Sequence, residues 1–425
     1  MGQIQPIIEH GKQPDLFKDE IKQIVGFLQE YYEIRIPAQD PSKIKITCKD
    51  ENRYSFPPDF GDIWLHLKSE GYNVSKDVLR TVIRSPNYIK PCDPIKEYFD
   101  SIRKKWQGES QIDLFCKYII PRVFEENTPE YYRERTNKLI KKWFVACVAC
   151  WIGNHPNDVA LGFIHSSEGI GKTHLVEFIV PDALKEYYVK SSKDDKKFDI
   201  EDVFTRYMIV NFDELNGVSP RSIDTFKSCM SDRKILNKRR HEEFATDKDR
   251  IGCAVFTSNR NQELGGFLHD SYGYRRWGII ELEDIDREYS KTINIDQLWS
   301  EALTLYEDSG FNYKFEQPDY EDFSAYNRRY MFETSAMKFI QLHLTVPQSN
   351  DEGEKLNASA IFSRLRNKIR KEDQGKITIT KMGVALTALG FPKISFRDDD
   401  GNSIKGYRVI FNDEKELTKK IKQEE

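Results

Sequence analysis

Apolar residues at Phe17, Ile21, Ile24, Val25 and Leu28 recur at helical spacing, so the chain is predicted to open with an amphipathic helix. The stretch "IKITCKDENRYSF" alternates like a strand, and "DIWLHLKSEGYNVSKDVLRTVIRS" predicts two short helices joined at "GYNVS". Residues 1–90 therefore read as a small mixed α/β accessory module, to which no chemistry is assigned. From "DPIKEYFDSIRKKW" to "KWFVACVACWIG" the pattern is helical, and Gly153, Asn154 and Pro156 mark its end, giving a helical region over 91–156. Across 157–315, short apolar runs alternate with helix-like segments: "DVALGFIHS", "RYMIVNFDELNG", "IGCAVFTSN" and "RRWGIIEL" are the predicted strands. Such alternation predicts an α/β core, a parallel sheet with helices on both faces. "FEQPDYEDFSAYNRR" reads as an acidic, aromatic connector. In 335–425, "NASAIFSRLRNKIRK" and "TITKMGVALTALGF" have helical spacing, while "KISFRDDDGNSIKGYRVIF" is two alternating strands about an Asp400-Gly401 turn. Helix, helix, hairpin is the order of a winged helix, and the charged tail after it is a frayed end.

Composition adjusts this picture. At 425 residues the chain has room for about three domains. Charged residues make up 32% and apolar ones 39%, as in a soluble globular protein, and no apolar run reaches membrane-spanning length. The N-terminus "MGQIQPIIEHGKQPDLF" lacks the layout of a secretory signal, so a cytoplasmic location without membrane association is expected. Seven cysteines, an odd number, argue for free thiols, and Cys147 and Cys150 read as buried core thiols because no further zinc ligands lie at a suitable spacing. A net charge of -4 gives no global field for nucleic acid, so DNA contacts must rest on local basic clusters.

The richest local chemistry is in "HSSEGIGKTHL". Gly171, Lys172 and Thr173 match the end of the phosphate-loop pattern, with Ser166 in place of its leading glycine. A strand precedes and a helix follows, as such a loop requires. Gly169 and Gly171 let backbone N–H groups approach phosphates, the helix N-terminus adds positive potential, and Lys172 reaches the β and γ phosphates. The Thr173 hydroxyl can ligate Mg2+. Ser167, Glu168, Gly169, Ile170, Gly171, Lys172, Thr173 and His174 are thus the expected ATP-binding segment; a bare glycine turn would read the same over these few residues. About forty residues on, "VNFDEL" ends a strand in Asp213, expected in the metal shell, and Glu214, expected to take a proton from an attacking water. "FTSN" ends a third strand, with Asn259 placed to touch the γ phosphate or to position that water; it would equally serve as a strand terminator.

Two basic features extend the site. Arg275 and Arg276 precede the fourth strand, and arginine suits the charge of a transferring phosphoryl group; in ring ATPases a neighbouring subunit supplies it. "SDRKILNKRRHEEFATDKDR" reads as a charged hairpin whose Lys238, Arg239, Arg240 and His241 can grip a single-stranded phosphate backbone, or simply be solvated. In the last module, Ile361, Leu365 and Ile369 form an apolar stripe amid Arg366 and Arg370, with Lys376 and Lys381 nearby, which suits duplex DNA. Three aspartates at the hairpin tip oppose that contact.

Taken in order and spacing, "SSEGIGKT", "VNFDEL", "FTSN" and "FLHDSYGYRRW" resemble the virulence-associated protein E family, P-loop ATPases akin to superfamily 3 replicative helicases. The resemblance spans about 93 to 310. It implies an AAA+-type core, a homo-oligomeric ring with a hexamer as the expected form, and ATP- and magnesium-dependent unwinding of single- and double-stranded DNA in replication of phages or mobile elements, in the bacterial cytosol or a phage-infected cell. By position, Lys172 and Thr173 are the loop residues, Asp213 and Glu214 the acidic pair, Asn259 the sensor, and Arg275 or Arg276 the finger. No acidic cluster for primer synthesis is present, so a separate primase or initiator is an expected partner. The other reading is a nucleotide-dependent assembly switch that binds DNA or protein and moves no strand.

Overall fold

A computed structural model describes residues 14–191, 199–213, 220–239, 242, 244–259, 267–268, 274–331, 334–349, 352–397 and 403–413. The chain divides into two compact units, Met1–Ser101 and Ile102–Glu425.

The first unit comprises α1 (Pro14–Tyr31), β1 (Tyr32–Arg35), β2 (Lys45–Cys48), α2 (Phe60–Ser69) and α3 (Lys76–Arg84), with α4 (Pro94–Ile102) at its end. Ile24, Phe27 and Leu28 of the opening helix are buried against Ile63, Leu67, Leu79 and Ile83 of the helix pair. That pair ends and restarts on local signals: Asp59 and Asp62 form a reciprocal capping box on α2, Gly71 takes φ +87° after it, and the Ser75 hydroxyl caps α3. The predicted strand is confined to Lys45–Cys48, paired antiparallel with β1.

The second unit begins with α5 (Gln111–Lys117), β3 (Ile119–Pro121) and α6 (Pro129–Gly153). Thr128 caps α6, Pro129 fits the first turn where no N–H is needed, and Asn154 closes it at φ 53°. There follow β4 (Ala160–Ile164), α7 (Lys172–Phe178), β5 (Tyr188–Ser191), α8 (Ile200–Arg206), β6 (Ile209–Phe212) and α9 (Pro220–Ser231). A short hairpin, β7 (Lys234–Asn237) and β8 (Thr246–Asp249), leads to β9 (Cys253–Ser258), β10 (Trp277–Ile285), α10 (Tyr289–Thr292), α11 (Ile295–Glu307) and α12 (Gln317–Asn327). The sheet order is β3-β10-β4-β9-β6-β5, parallel except for β3. Every residue of β4, β6 and β9 is buried, which is why these strands read as unbroken apolar runs and why both sheet faces must be covered. Packing leaves no slack at Gly162, where an added Cβ would lie 2.0 Å from the Phe256 ring.

The predicted connector is a helix. Glu316 and Asp319 form a reciprocal capping box, Pro318 sits in the first turn, and Asn327 at its end donates to the Trp277 carbonyl at 2.7 Å, holding α12 on the core.

The chain ends with α13 (Ser335–His343), β11 (Leu344–Thr345), β12 (Glu354–Leu356), α14 (Ala358–Leu365), α15 (Ile379–Ala388), β13 (Lys393–Arg397) and β14 (Ser403–Phe411), the two last strands antiparallel. Ile361 and Leu365 are fully buried and Ile369 partly so, but α14 stops at Leu365, and Arg366–Lys368 form a single 3-10 turn. The Asp400-Gly401 turn lies outside the described residues. Among the described residues no helix is long and apolar enough to cross a membrane.

Candidate functional site

Strand register brings the site together. Ile164 at the end of β4 pairs with Ser258 at the end of β9, and Phe212 at the end of β6 pairs with Phe256. Asp213, Asn259 and the loop after Ile164 therefore leave the sheet side by side at its C-terminal edge, where the strand order reverses from β4 to its neighbours. The His165 amide donates to the Ser258 carbonyl at 3.2 Å and ties loop to strand.

Residues Ser166 to Gly169 arch into solvent, and Gly169 (φ +79°) and Gly171 (φ +102°) occupy the left-handed region that favours glycine. Lys172 turns back beneath this arch and is only 7% exposed. Its ammonium donates to the Asn259 Oδ1 at 2.7 Å, the Ser167 carbonyl at 3.0 Å and the His165 carbonyl at 3.2 Å. Burial lowers its pKa to about 8, against the upward pull of the Asp213 and Glu168 carboxylates. A buried ammonium held by three uncharged oxygens is a cation short of an anion, which is what a phosphate would supply.

The expected metal pair also meets. Thr173 Oγ1 donates to Asp213 Oδ1 at 3.2 Å, Thr257 Oγ1 donates to the same oxygen at 2.6 Å, and Lys190 Nζ lies 3.8 Å from Asp213 Oδ2. One hydroxyl and one carboxylate, both hard oxygens, suit Mg2+, which keeps most of its shell for water and substrate phosphates. Among the described residues no group of three or more His, Cys, Asp and Glu forms a self-contained metal cage. His174 points away from this pair, its Nδ1 2.7 Å from the buried Tyr289 hydroxyl. The helix that carries these residues has only seven, Lys172–Phe178, so the loop and Lys172 carry the site and a helix dipole adds little.

Glu214 lies outside the described residues, as do Arg240 and His241. The hairpin forms, with Lys234 opposite Asp249 and Asn237 opposite Thr246. Its Arg239, however, is turned inward: Nη2 donates to the Thr205 carbonyl and hydroxyl at 3.3 and 3.1 Å, and Nε lies 3.4 Å from Asp202. Lys238 remains exposed, as do Leu236 and Phe244.

Arg275 and Arg276 stand at the opposite edge. They immediately precede Trp277, which pairs with Ala160 at the start of β4, whereas the phosphate loop follows Ile164 at its end. At a rise of about 3.3 Å per residue the strand alone separates them by roughly 13 Å. Arg276 Nη2 donates to Ser231 Oγ at 3.0 Å; Arg275 is exposed. In the last module, Arg366, Arg370, Lys376 and Lys381 are all exposed, Arg370 with Glu372 at 3.7 Å and Lys376 with Asp373 at 4.0 Å.

One residue at the site has no local signal in the sequence. Arg287, just past the end of β10, donates from Nη2 to the Gly169 carbonyl at 2.7 Å. Only the placement of β10 beside β4 brings it there.

Comparison with known proteins follows the same residues. A model of the virulence-associated protein E-like domain matches residues 100–332. No curated protein matches significantly. Among solved structures, the apo NrS-1 C-terminal region is similar over 92% of this chain and 100% of its own, at 12% identity and a TM-score of 0.47. A second apo form of that region covers 88% of this chain and 91% of its own, at 12% identity and 0.45.

Proposed function

The chain belongs to the virulence-associated protein E-like family, and we propose that it is an ATP hydrolase that assembles into a ring and acts as a DNA helicase in replication of a phage or mobile element. The observation that carries this reading is the convergence of Lys172, Thr173, Asp213 and Asn259 at the C-terminal ends of β4, β6 and β9.

In this reading Lys172 exchanges its neutral acceptors for the β and γ phosphates, and the loop amides between Ser167 and Thr173 surround them. Thr173 and Asp213 would hold Mg2+, which when bound neutralises phosphate charge. Asn259, 2.7 Å from the Lys172 ammonium, would touch the γ phosphate or position the attacking water. Glu214, next after Asp213, takes the proton from that water. Arg275 and Arg276 are too far across the sheet to serve their own site, so the finger comes from the next copy, and the exposed Arg275 is the better placed of the two. We read the sheet and its helices over 157–315 as the AAA+-type core, 91–156 as its helical lead-in, residues 1–90 as an accessory module and 335–425 as a winged helix whose Arg366, Arg370, Lys376 and Lys381 meet duplex DNA. Exposed Lys238 and Phe244 on the hairpin supply a cation and a stacking face for single-stranded DNA, and Arg240 and His241, outside the described residues, are proposed to add to the grip. Arg239 braces the hairpin against α8.

The protonation of Lys172 gives a direct check. In the empty fold its pKa lies near 8, below that of an exposed lysine, so the unfolded chain holds the extra proton between about 8 and 10.5, and the empty fold gains stability as pH rises through that window. A bound phosphate reverses the preference. Nucleotide binding at pH 9 is therefore expected to take up a proton, seen by calorimetry in buffers of different ionisation heat, and affinity falls by up to about tenfold per pH unit above 8. Lys172→Arg removes the proton uptake; unchanged uptake in that variant would assign it elsewhere.

The whole reading is tested by the steady-state ATPase rate with and without single-stranded DNA, across protein concentrations at fixed salt. A ring motor gives stimulation by DNA and a rate per chain that rises with concentration. Nucleotide binding with hydrolysis indifferent to DNA would favour an assembly switch that moves no strand.

A further inference from the structure

Resting on the nucleotide-site reading above, we propose that Arg287 is a second phosphate-binding cation supplied by the same chain: it holds the empty loop through the Gly169 carbonyl and passes its N–H donors to the phosphates of an incoming nucleotide.

Three observations lead there. The guanidinium reaches the loop itself, with Nη2 2.7 Å from the Gly169 carbonyl and Nε 3.7 Å from where a side chain at Gly171 would begin. It is exposed, and among the described residues no carboxylate lies in ion-pair range of it. Its acidic neighbours are engaged elsewhere: Asp286 Oδ1 accepts the Glu288 amide, and Glu288 pairs with Lys291. Lys172 and Arg287 thus approach the loop from below and from its outer side, both resting on uncharged oxygens. An arginine spends a strong donor poorly on a neutral carbonyl when a phosphate oxygen is within reach, because the charge-assisted bond is about twice as strong. Position decides the rest. The first half of β10, Trp277–Glu281, is hydrogen-bonded to the whole of β4, and the chain just past the end of β10 brings residue 287 to the loop that follows β4.

Arg287 binds the nucleotide directly but stands away from the bond that is cut. Its loss should weaken nucleotide binding while leaving the rate at saturation nearly unchanged. The test is binding of a fluorescent ATP analogue to wild type, Arg287→Ala, Arg287→Lys and Lys172→Ala, in low and high salt, alongside kcat and KM. Arg287→Ala is expected to raise Kd and KM by roughly 10- to 100-fold at low salt with kcat changed less than about threefold. The penalty should shrink severalfold at high salt, because a charge contact is screened. Arg287→Lys should recover part of it. A penalty insensitive to salt, or equal for Ala and Lys, would mean that the side chain only braces Gly169 and would overturn the proposal, as would wild-type affinity in Arg287→Ala. If Lys172→Ala also binds like wild type, the nucleotide-site reading fails as well; if Lys172→Ala loses binding and Arg287→Ala does not, only the role of Arg287 fails.

Discussion

Lys172→Ala is expected to lose ATP-dependent behaviour while keeping its fold. Hydrolysis should fall by at least about 10²- to 10³-fold, the cost of removing one preorganised donor from a site of developing charge. Binding should weaken too, because the ammonium is the group beneath the loop that can neutralise a phosphate. The fold should survive for a reason visible in the empty site. Lys172 is a buried cation whose pKa has dropped to about 8, so its charge is a cost there and its removal relieves it. The acceptors it leaves, at His165, Ser167 and Asn259, line a loop that faces solvent, where water replaces the lost bonds. Thermal unfolding separates the two effects. Nucleotide at about 100 times Kd should stabilise the wild type by about 2.7 kcal/mol and Lys172→Ala not at all, with similar unfolding temperatures in its absence. A variant that still gains stability from ATP would remove Lys172 from the phosphate site.

Arg275→Ala should lower turnover by about 10³-fold or more with nucleotide affinity little changed, the usual scale for an arginine finger. Arg276→Ala serves as comparison, since Arg276 already bonds Ser231 and its loss disturbs the end of α9. The decisive experiment mixes two inactive chains. Lys172→Ala retains Arg275, and Arg275→Ala retains Lys172. If each site is built across a head-to-tail interface, an equal mixture contains intact pairs at about one interface in four, and activity should return to about a quarter of the wild-type rate. Neither chain alone can do this. A mixture as inactive as its components would show that Arg275 does not act on a neighbour's site, and the ring mechanism would lose its structural support. Recovery does not depend on the ring size.

Much of the core was legible in the residues. β4, β6 and β9 are short apolar runs because they are buried on both faces, and that burial is written into composition. The loop was legible because glycine, lysine and threonine do particular work at fixed spacing, and the cap residues Asp59, Ser75 and Thr128 announce their helices locally. The family resemblance rested on those same segments, and the match over residues 100–332 agrees with it. Non-local features did not read so well. The stretch taken as a connector is helix α12, since its capping box outweighs its mixed polarity; β3 is a three-residue strand that exists only because β10 offers it an edge. Arg239 stands in a basic run yet is spent on Thr205 and Asp202.

What the sequence alone determined is therefore most of the parts: the buried strands and many of the helices, and the side chains whose chemistry suits phosphate. Those follow from the period of apolar positions and from the donors each residue type possesses. Tertiary structure decided which parts meet. Strand order and register place Asp213 against Thr173, Asn259 against Lys172 and Arg287 against Gly169, and put Arg275 at the far edge. Register is fixed by packing among segments tens of residues apart, so no local pattern of residues encodes it.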